Sequence, residues 1–215
     1  MVLVHPEARR RGIGRALLEH CIAFLQPRVT CIKLDATPLG RTLYEKLGFK
    51  DEWTLQRWES RRAKIPAKPR GGRVRQWKSE DTRAMQALDQ AAFGVNRWRM
   101  VRRMARQPAR SLVGQSPMRG INAFGVLREG ARAHYLGPVV GESIAAAEPL
   151  LRTFVGTLPW QQMFWDIPDA NTDAVELARC LGFASQRPLI RMALGENKWP
   201  GKPLHIFALA GPEIG

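Results

Sequence analysis

The chain reads as an α/β (α+β) protein, with a mixed sheet and flanking helices spread over a partial first domain and a complete second one. Three observations predict this class. Apolar runs of strand length alternate with stretches of helical period in the first half. Further strand and helix signals, joined by hairpin turns, follow in the second half. Leu47-Gly48-Phe49 and Leu181-Gly182-Phe183 each close a predicted helix ahead of a predicted strand, which hints at a repeat.

Residues 1–4 are apolar and resemble the tail of a strand, ended by His5-Pro6. Ile13, Ala16, Leu17, Cys21 and Phe24 then recur at helical spacing, and Pro27 stops that helix. Residues 29–34 form a short strand candidate. Pro38 opens a helix whose Leu39, Leu43 and Leu47 share a face, and Gly48 closes it. Residues 49–58 read as another strand. Residues 59–72, with their prolines, glycines and basic side chains, read as a mostly exposed linker. The expected domains are therefore 1–58 and 73–215. In the second, strands are expected at 73–78, 111–113, 121–127, 131–136, 162–167, 184–192 and 204–209. Helices are expected at 80–92, with Ser79 as N-cap, and at 97–106, 143–158 and 172–181.

With 215 residues and 45% hydrophobic content the chain can bury one large core or two small ones. Its 34 Lys and Arg against 19 Asp and Glu leave a net charge of +15. Such a surplus attracts polyanions, but the basic residues are dispersed along the chain, which argues for solvated helix faces over a nucleic-acid track. Cys21, Cys31 and Cys180 form no CxxC pair and no metal-ligand spacing with the four histidines, so no metal is expected. Cys21 and Cys31 read as small buried hydrophobes. No signal-peptide pattern and no apolar run of membrane-spanning length occur, so a cytoplasmic protein is expected.

The chemistry concentrates in Arg9-Arg10-Arg11-Gly12-Ile13-Gly14, set between a strand and an amphipathic helix. Glycines there admit backbone conformations that a Cβ resists, and they let an anion approach the main chain. The first helical turn offers unpaired N–H groups and the positive end of the dipole. Arg10, Arg11 and Arg15 add positive charge. Together these features predict a pyrophosphate cradle; the other reading is a tight strand-to-helix turn with solvated arginines.

Residues 2–18 resemble the acetyl-coenzyme A motif of the GNAT acyltransferase superfamily, R/Q-x-x-G-x-G/A. Residues 34–49, ending Leu43-Tyr44-Glu45-Lys46-Leu47-Gly48-Phe49, resemble the superfamily's next motif. The resemblance implies acetyl-coenzyme A as co-substrate and an amine acceptor, a small molecule or a peptide. It assigns the pantetheine arm to the main chain of Val2, Leu3 and Val4. The pyrophosphate goes to the amides from Arg9 through Arg10, Arg11, Gly12 and Ile13 to Gly14, beside Arg15. Tyr44 matches the tyrosine that protonates the departing thiolate. Thr37, where the family often has Asn, is a further candidate coenzyme contact, and Gly40 stands where the family often has Ala. The strands that in this family precede the motif, and that usually carry the general base, have no counterpart before Met1. A mis-assigned start is the expected reason. An unpaired edge strand could favour a homodimer.

Residues 73–215 resemble the C-terminal domain of two-domain bacterial GNAT proteins, on stretches such as Leu136-Gly137-Pro138-Val139-Val140 and Asp166-Ile167-Pro168-Asp169-Ala170-Asn171. Where a phosphate loop should precede the helix, the chain instead reads Gly141-Glu142-Ser143. A second coenzyme site is therefore not expected, and this half is read as degenerate, shaping the acceptor pocket or serving structure. Trp160, Trp165, Asp166 and Asp169 are pocket candidates. A non-catalytic coenzyme-binding remnant and a basic nucleic-acid-binding protein are the competing readings.

Overall fold

The computed structural model describes residues 4–64, 72–106, 110–118, 120–158 and 160–212. Val2 and Leu3, most of the glycine- and proline-rich stretch (65–71) and residues 213–215 lie outside them. Among the described residues nine strands and six α-helices give a mixed α/β architecture. The chain divides into two compact units: Met1–Trp53 with Leu189–Lys198, and Thr54–Pro188 with Trp199–Gly215. This grouping differs from the boundaries expected at 58 and 73. Glu59 and Ser60 belong to a strand, and Ala63 is buried, so the start of the expected linker is built into the second unit.

The first unit holds α1 (Ile13–Leu25), β1 (Cys31–Ala36), α2 (Pro38–Lys46), the start of β2 (Lys50–Ser60) and the end of β8 (Ala184–Gly195). β1 runs antiparallel to β8, from Cys31 opposite Gly195 to Ala36 opposite Ile190. The period-2 alternation of β1 turns Ile32, Leu34 and Ala36 to one side. There they pack with Ile22, Tyr44, Leu47, Phe49, Met192 and Leu194. The stripe expected to bury α1 faces outward instead: Ile13, Leu17, Cys21 and Phe24 are exposed. Leu18 and Ile22 provide the packed side. The helix is apolar on two sides, so periodicity alone had two solutions. Cys21 is exposed and Cys31 half-buried, so neither is the fully buried hydrophobe expected.

In the second unit, the rest of β2 pairs with β7 (Met163–Pro168), and β7 lies parallel to β6 (His134–Gly141). β5 (Gly120–Arg128), β4 (Ser111–Ser116) and β3 (Arg73–Gln76) follow as antiparallel neighbours. α3 (Thr82–Phe93), α4 (Trp98–Met104), α5 (Ile144–Thr157) and α6 (Thr172–Cys180) complete this unit. Leu150, Leu151 and Phe154 of α5 pack with Trp165 and Ile167 of β7 in one large core. Burying each such side chain contributes about 1.5–3 kcal/mol, which sets the scale of this half's stability.

Several boundaries shift for local reasons. α3 begins at Thr82, after a short 3-10 turn over Ser79–Asp81, so Ser79 is not its N-cap. Asp81 instead accepts the Lys78 N–H and both arms of Arg75. β6 begins at His134 and extends through Gly137-Pro138 to Gly141, beyond the end expected at 136. β1 begins two residues later than expected, and β8 runs three residues further than 192, because the two pair along their full overlap.

The repeat is real at the level of local structure. Thr37 and Asn171 each cap a nine-residue helix by accepting the N–H three residues on. Gly48 (φ 89°) and Gly182 (φ 81°) follow those helices, and Phe49 and Phe183 are buried. The strands that come next are exchanged: β2 pairs with β7 of the second copy, and β8 with β1 of the first.

Candidate functional site

The glycine-bearing bend lies at the start of α1. Gly12 occupies the N-cap position at φ 76°, a left-handed conformation that disfavours any side chain. No side chain caps the helix, and its first internal bond runs from the Ala16 N–H to Gly12. The amides at Ile13, Gly14 and Arg15 therefore have no partner within the helix, and the dipole's positive end lies with them. Arg10 is the one residue other than glycine held at positive φ, 63°, among the described residues. A cleft of about 280 Å³ opens here, lined by Val4, Arg9, Arg10, Gly12, Gly14 and Arg15, with Leu43 from α2. Arg9 donates to the Val4 carbonyl at 3.2 Å, tying the bend to the residue before it. Arg15 pairs with Glu19 at 2.8 Å on the exposed helix face. Among the described residues no carboxylate pairs with Arg10 or Arg11, and both are exposed. The site thus combines free main-chain donors with two uncommitted cations.

Thr37 and Tyr44 come from α2. The Thr37 hydroxyl accepts the Gly40 N–H at 3.2 Å, so capping is its visible task. Tyr44 is half-buried, edge-on to Phe49 at 6.0 Å between ring centroids, and packs with Met192 and Ile190. Its ring lies over Gly40, where a Cβ would stand 3.1 Å from Tyr44 Cε2. The cleft around the bend includes Leu43 of α2, and Tyr44 is not part of its lining.

The four acceptor-pocket candidates do not converge. Trp165 is fully buried and donates its Nε1–H to the Phe207 carbonyl. Asp166, 2% exposed, accepts Arg57 Nε and Nη2 at 2.7 Å each. Trp160 is exposed beneath the Arg62 guanidinium, and Asp169 sits in the turn after β7. The side chains of Trp165 and Asp166 are thus engaged within the core.

In the second unit the corresponding strands leave no open slot. β6 and β7 are paired only from His134–Met163 to Leu136–Trp165. Beyond that, β9 (Ile206–Ala208) pairs with β6 at Val139 and Val140, and the Leu209 N–H bonds the Asp166 carbonyl. A Cβ at Gly137 would stand 1.9 Å from the Leu209 oxygen, so the two main chains meet there in direct contact. Only two residues separate β6 from α5, and they form no glycine-bearing bend.

Sequence reasoning missed three buried ion pairs among the described residues, Arg97 with Asp89 and two that join paired strands. Arg57 meets Asp166, and Arg191 meets Asp35, each directly across an antiparallel pair and each through two nitrogens. The available signal was an arginine eight residues after the repeated phenylalanine, at Phe49 and Arg57 and again at Phe183 and Arg191.

The acetyltransferase (GNAT) domain family matches residues 85–208, more than half of the chain, and a second acetyltransferase (GNAT) domain family matches residues 1–51. The chain belongs to the GNAT acetyltransferase family. GNAT enzymes carry out acyl transfer, generally to amine acceptors. The chain is 23% identical over its whole length to the uncharacterized N-acetyltransferase YitH of Bacillus subtilis (strain 168), spanning 75% of that protein. Its fold is similar to that of a candidate acetyltransferase of Pyrococcus horikoshii, with a TM-score of 0.79 at 26% identity over 99% of this chain and 69% of that one. A tandem GNAT protein from the clavulanic acid biosynthesis pathway aligns over 90% of this chain and 73% of its own, with a TM-score of 0.59 at 16% identity. Two GNAT matches on one chain agree with the internal repeat. Among the described residues no helix is long and apolar enough to cross a membrane, and no cluster of His, Cys, Asp or Glu could hold a metal.

Proposed function

We propose that this GNAT chain transfers an acetyl group from acetyl-coenzyme A to an amine acceptor, using a single coenzyme site in its first unit. The uncapped start of α1 carries the reading: unpaired amides after Gly12, with Arg10 and Arg11 uncommitted, match the charge and geometry of a diphosphate. The family resemblance assigns the pantetheine arm to the main chain of Val2, Leu3 and Val4. The acceptor nitrogen attacks the thioester carbonyl, a C–N bond forms and the C–S bond breaks with its electron pair going to sulfur. Tyr44 supplies a proton to that thiolate, and the proton released by the acceptor nitrogen passes to solvent, which restores the phenol. Most of the rate gain comes from holding acceptor and thioester together.

Calorimetry with acetyl-coenzyme A and turnover with a panel of amines test the proposal. Gly12→Glu should abolish binding, since it places a strained side chain and a negative charge at the cradle. Tyr44→Phe should keep binding and lower turnover by roughly 10²- to 10⁴-fold, the usual contribution of a proton donor. Unchanged affinity in Gly12→Glu would remove the site. Binding without turnover of any amine would leave a coenzyme-binding remnant.

A further inference from the structure

The end of β8 approaches the first unit from far along the chain and serves it on both faces. Ile190, Met192 and Leu194 point into the cluster that holds Tyr44, and Met192 is fully buried there. Arg191, between them, points the other way. Its Nε and Nη2 donate to the two oxygens of Asp35, Nη2 at 3.0 Å, and its guanidinium lies 4.6 Å from the Trp53 ring centre. The side chains of Arg191 and Asp35 are 3% and 1% exposed. Asp35 is two residues before Thr37, the cap of the helix that carries Tyr44. A rigid planar fork therefore fixes the last residues of β1, and through the cap it fixes where α2 begins.

We propose that Arg191 is a positioning residue for Tyr44, so that a strand from the second repeat sets the geometry of acyl transfer in the first. This rests on the acetyl-transfer reading for its kinetic consequence, but not for its structural one. Arg57 supplies an internal control. It makes the same two-nitrogen contact with Asp166 in the second unit and lies 5.5 Å from the ring centre of Tyr135. The chain has only two tyrosines, so each clamp has one reporter.

The test is NMR of the full chain with labelled tyrosine rings, together with steady-state kinetics, on Arg191→Met, Arg191→Lys and Arg57→Met. Arg191→Met should shift or broaden the Tyr44 signal and leave Tyr135 in place, and Arg57→Met should do the reverse. Arg191→Lys keeps the charge but loses the fork, and should move Tyr44 by an intermediate amount. In turnover, Arg191→Met should lower kcat roughly a hundredfold, as misplacement of a reacting group does, with little change in KM for acetyl-coenzyme A. Arg57→Met should leave kcat within a few-fold of the parent at a comparable loss of thermal stability. A Tyr44 signal unmoved in both Arg191 variants would overturn the proposal, as would equal disturbance of both tyrosines by Arg191→Lys. If the parent chain turns over no amine, the acetyl-transfer reading fails while the two tyrosine signals still decide the positioning role.

Discussion

A methyl group added at residue 40 would stand 3.1 Å from the Tyr44 ring, closer than carbon atoms comfortably approach. Gly40→Ala would gain about 1 kcal/mol in helix propensity and lose a comparable amount in displacing the ring, leaving the melting temperature nearly unchanged. Turnover is the sensitive measurement: we expect roughly a tenfold drop, from a proton donor moved by a fraction of an ångström, with acetyl-coenzyme A binding retained. Full activity in Gly40→Ala would show that Tyr44 tolerates displacement. A second residue governs behaviour in acid. The Arg75 guanidinium, bonded to both oxygens of Asp81, and the Lys78 N–H hold that carboxyl below the ordinary aspartate value of 3.8, against the effect of its burial. Because the folded-state value is the lower one, the pair's contribution is complete above the unfolded-state value and is lost as pH falls through the folded one. Denaturation midpoints should therefore decline below pH 3.8. Asp81→Asn should cost about 1–3 kcal/mol near neutrality and flatten that decline. An Asn variant as acid-sensitive as the parent would assign the sensitivity elsewhere.

At the scale of elements, the two nine-residue helices share a design but bear different loads. The Thr37 side chain caps α2 and makes one bond, so Thr37→Ala should cost about 1 kcal/mol. Asn171 caps α6 and also donates through Nδ2 to the carbonyls of Leu204 and Ile206, at 3.1 and 3.0 Å. It is 3% exposed. Asn171→Ala should cost about 2–4 kcal/mol, as cap and buried partners are lost together, and should loosen β9 as seen by hydrogen exchange at the Leu209 amide. Equal costs for the two alanine variants would mean that the 204–206 segment does not depend on this side chain. The caps were partly legible in advance: Thr37-Pro38 and the repeated Leu-Gly-Phe carry their own local chemistry. The outward face of α1 was not legible, because two apolar stripes compete on one helix. β9 lies within the strand expected at 204–209, but a three-residue strand carries too little pattern to announce which neighbours it joins.

At the scale of the whole molecule, the chain's repeats and its compact units do not coincide. Each unit contains a strand that follows the other copy's helix. The buried cluster of Ala36, Phe49 and Met192 therefore joins two residues of the first repeat to one from far along the chain. A peptide of residues 1–58 lacks Ile190, Met192 and Leu194, and with them the partner of β1. It should show no cooperative thermal transition, whereas the full chain should. A sharp transition in the short peptide would show that residues 1–58 close their core without β8.

The α/β class, the glycine-bearing bend at the start of α1 and the repeated helix ends could be derived from the sequence alone. Each rests on interactions within a few residues: positive φ at glycine, free amides at a helix start, side chains that cap the next turn. Tertiary structure alone decided which strand completes which unit, which face of α1 is covered, and that Asp166 and Trp165 are committed to Arg57 and Phe207. These outcomes depend on partners far along the chain, and no local pattern records which of several chemically suitable partners a buried group will meet.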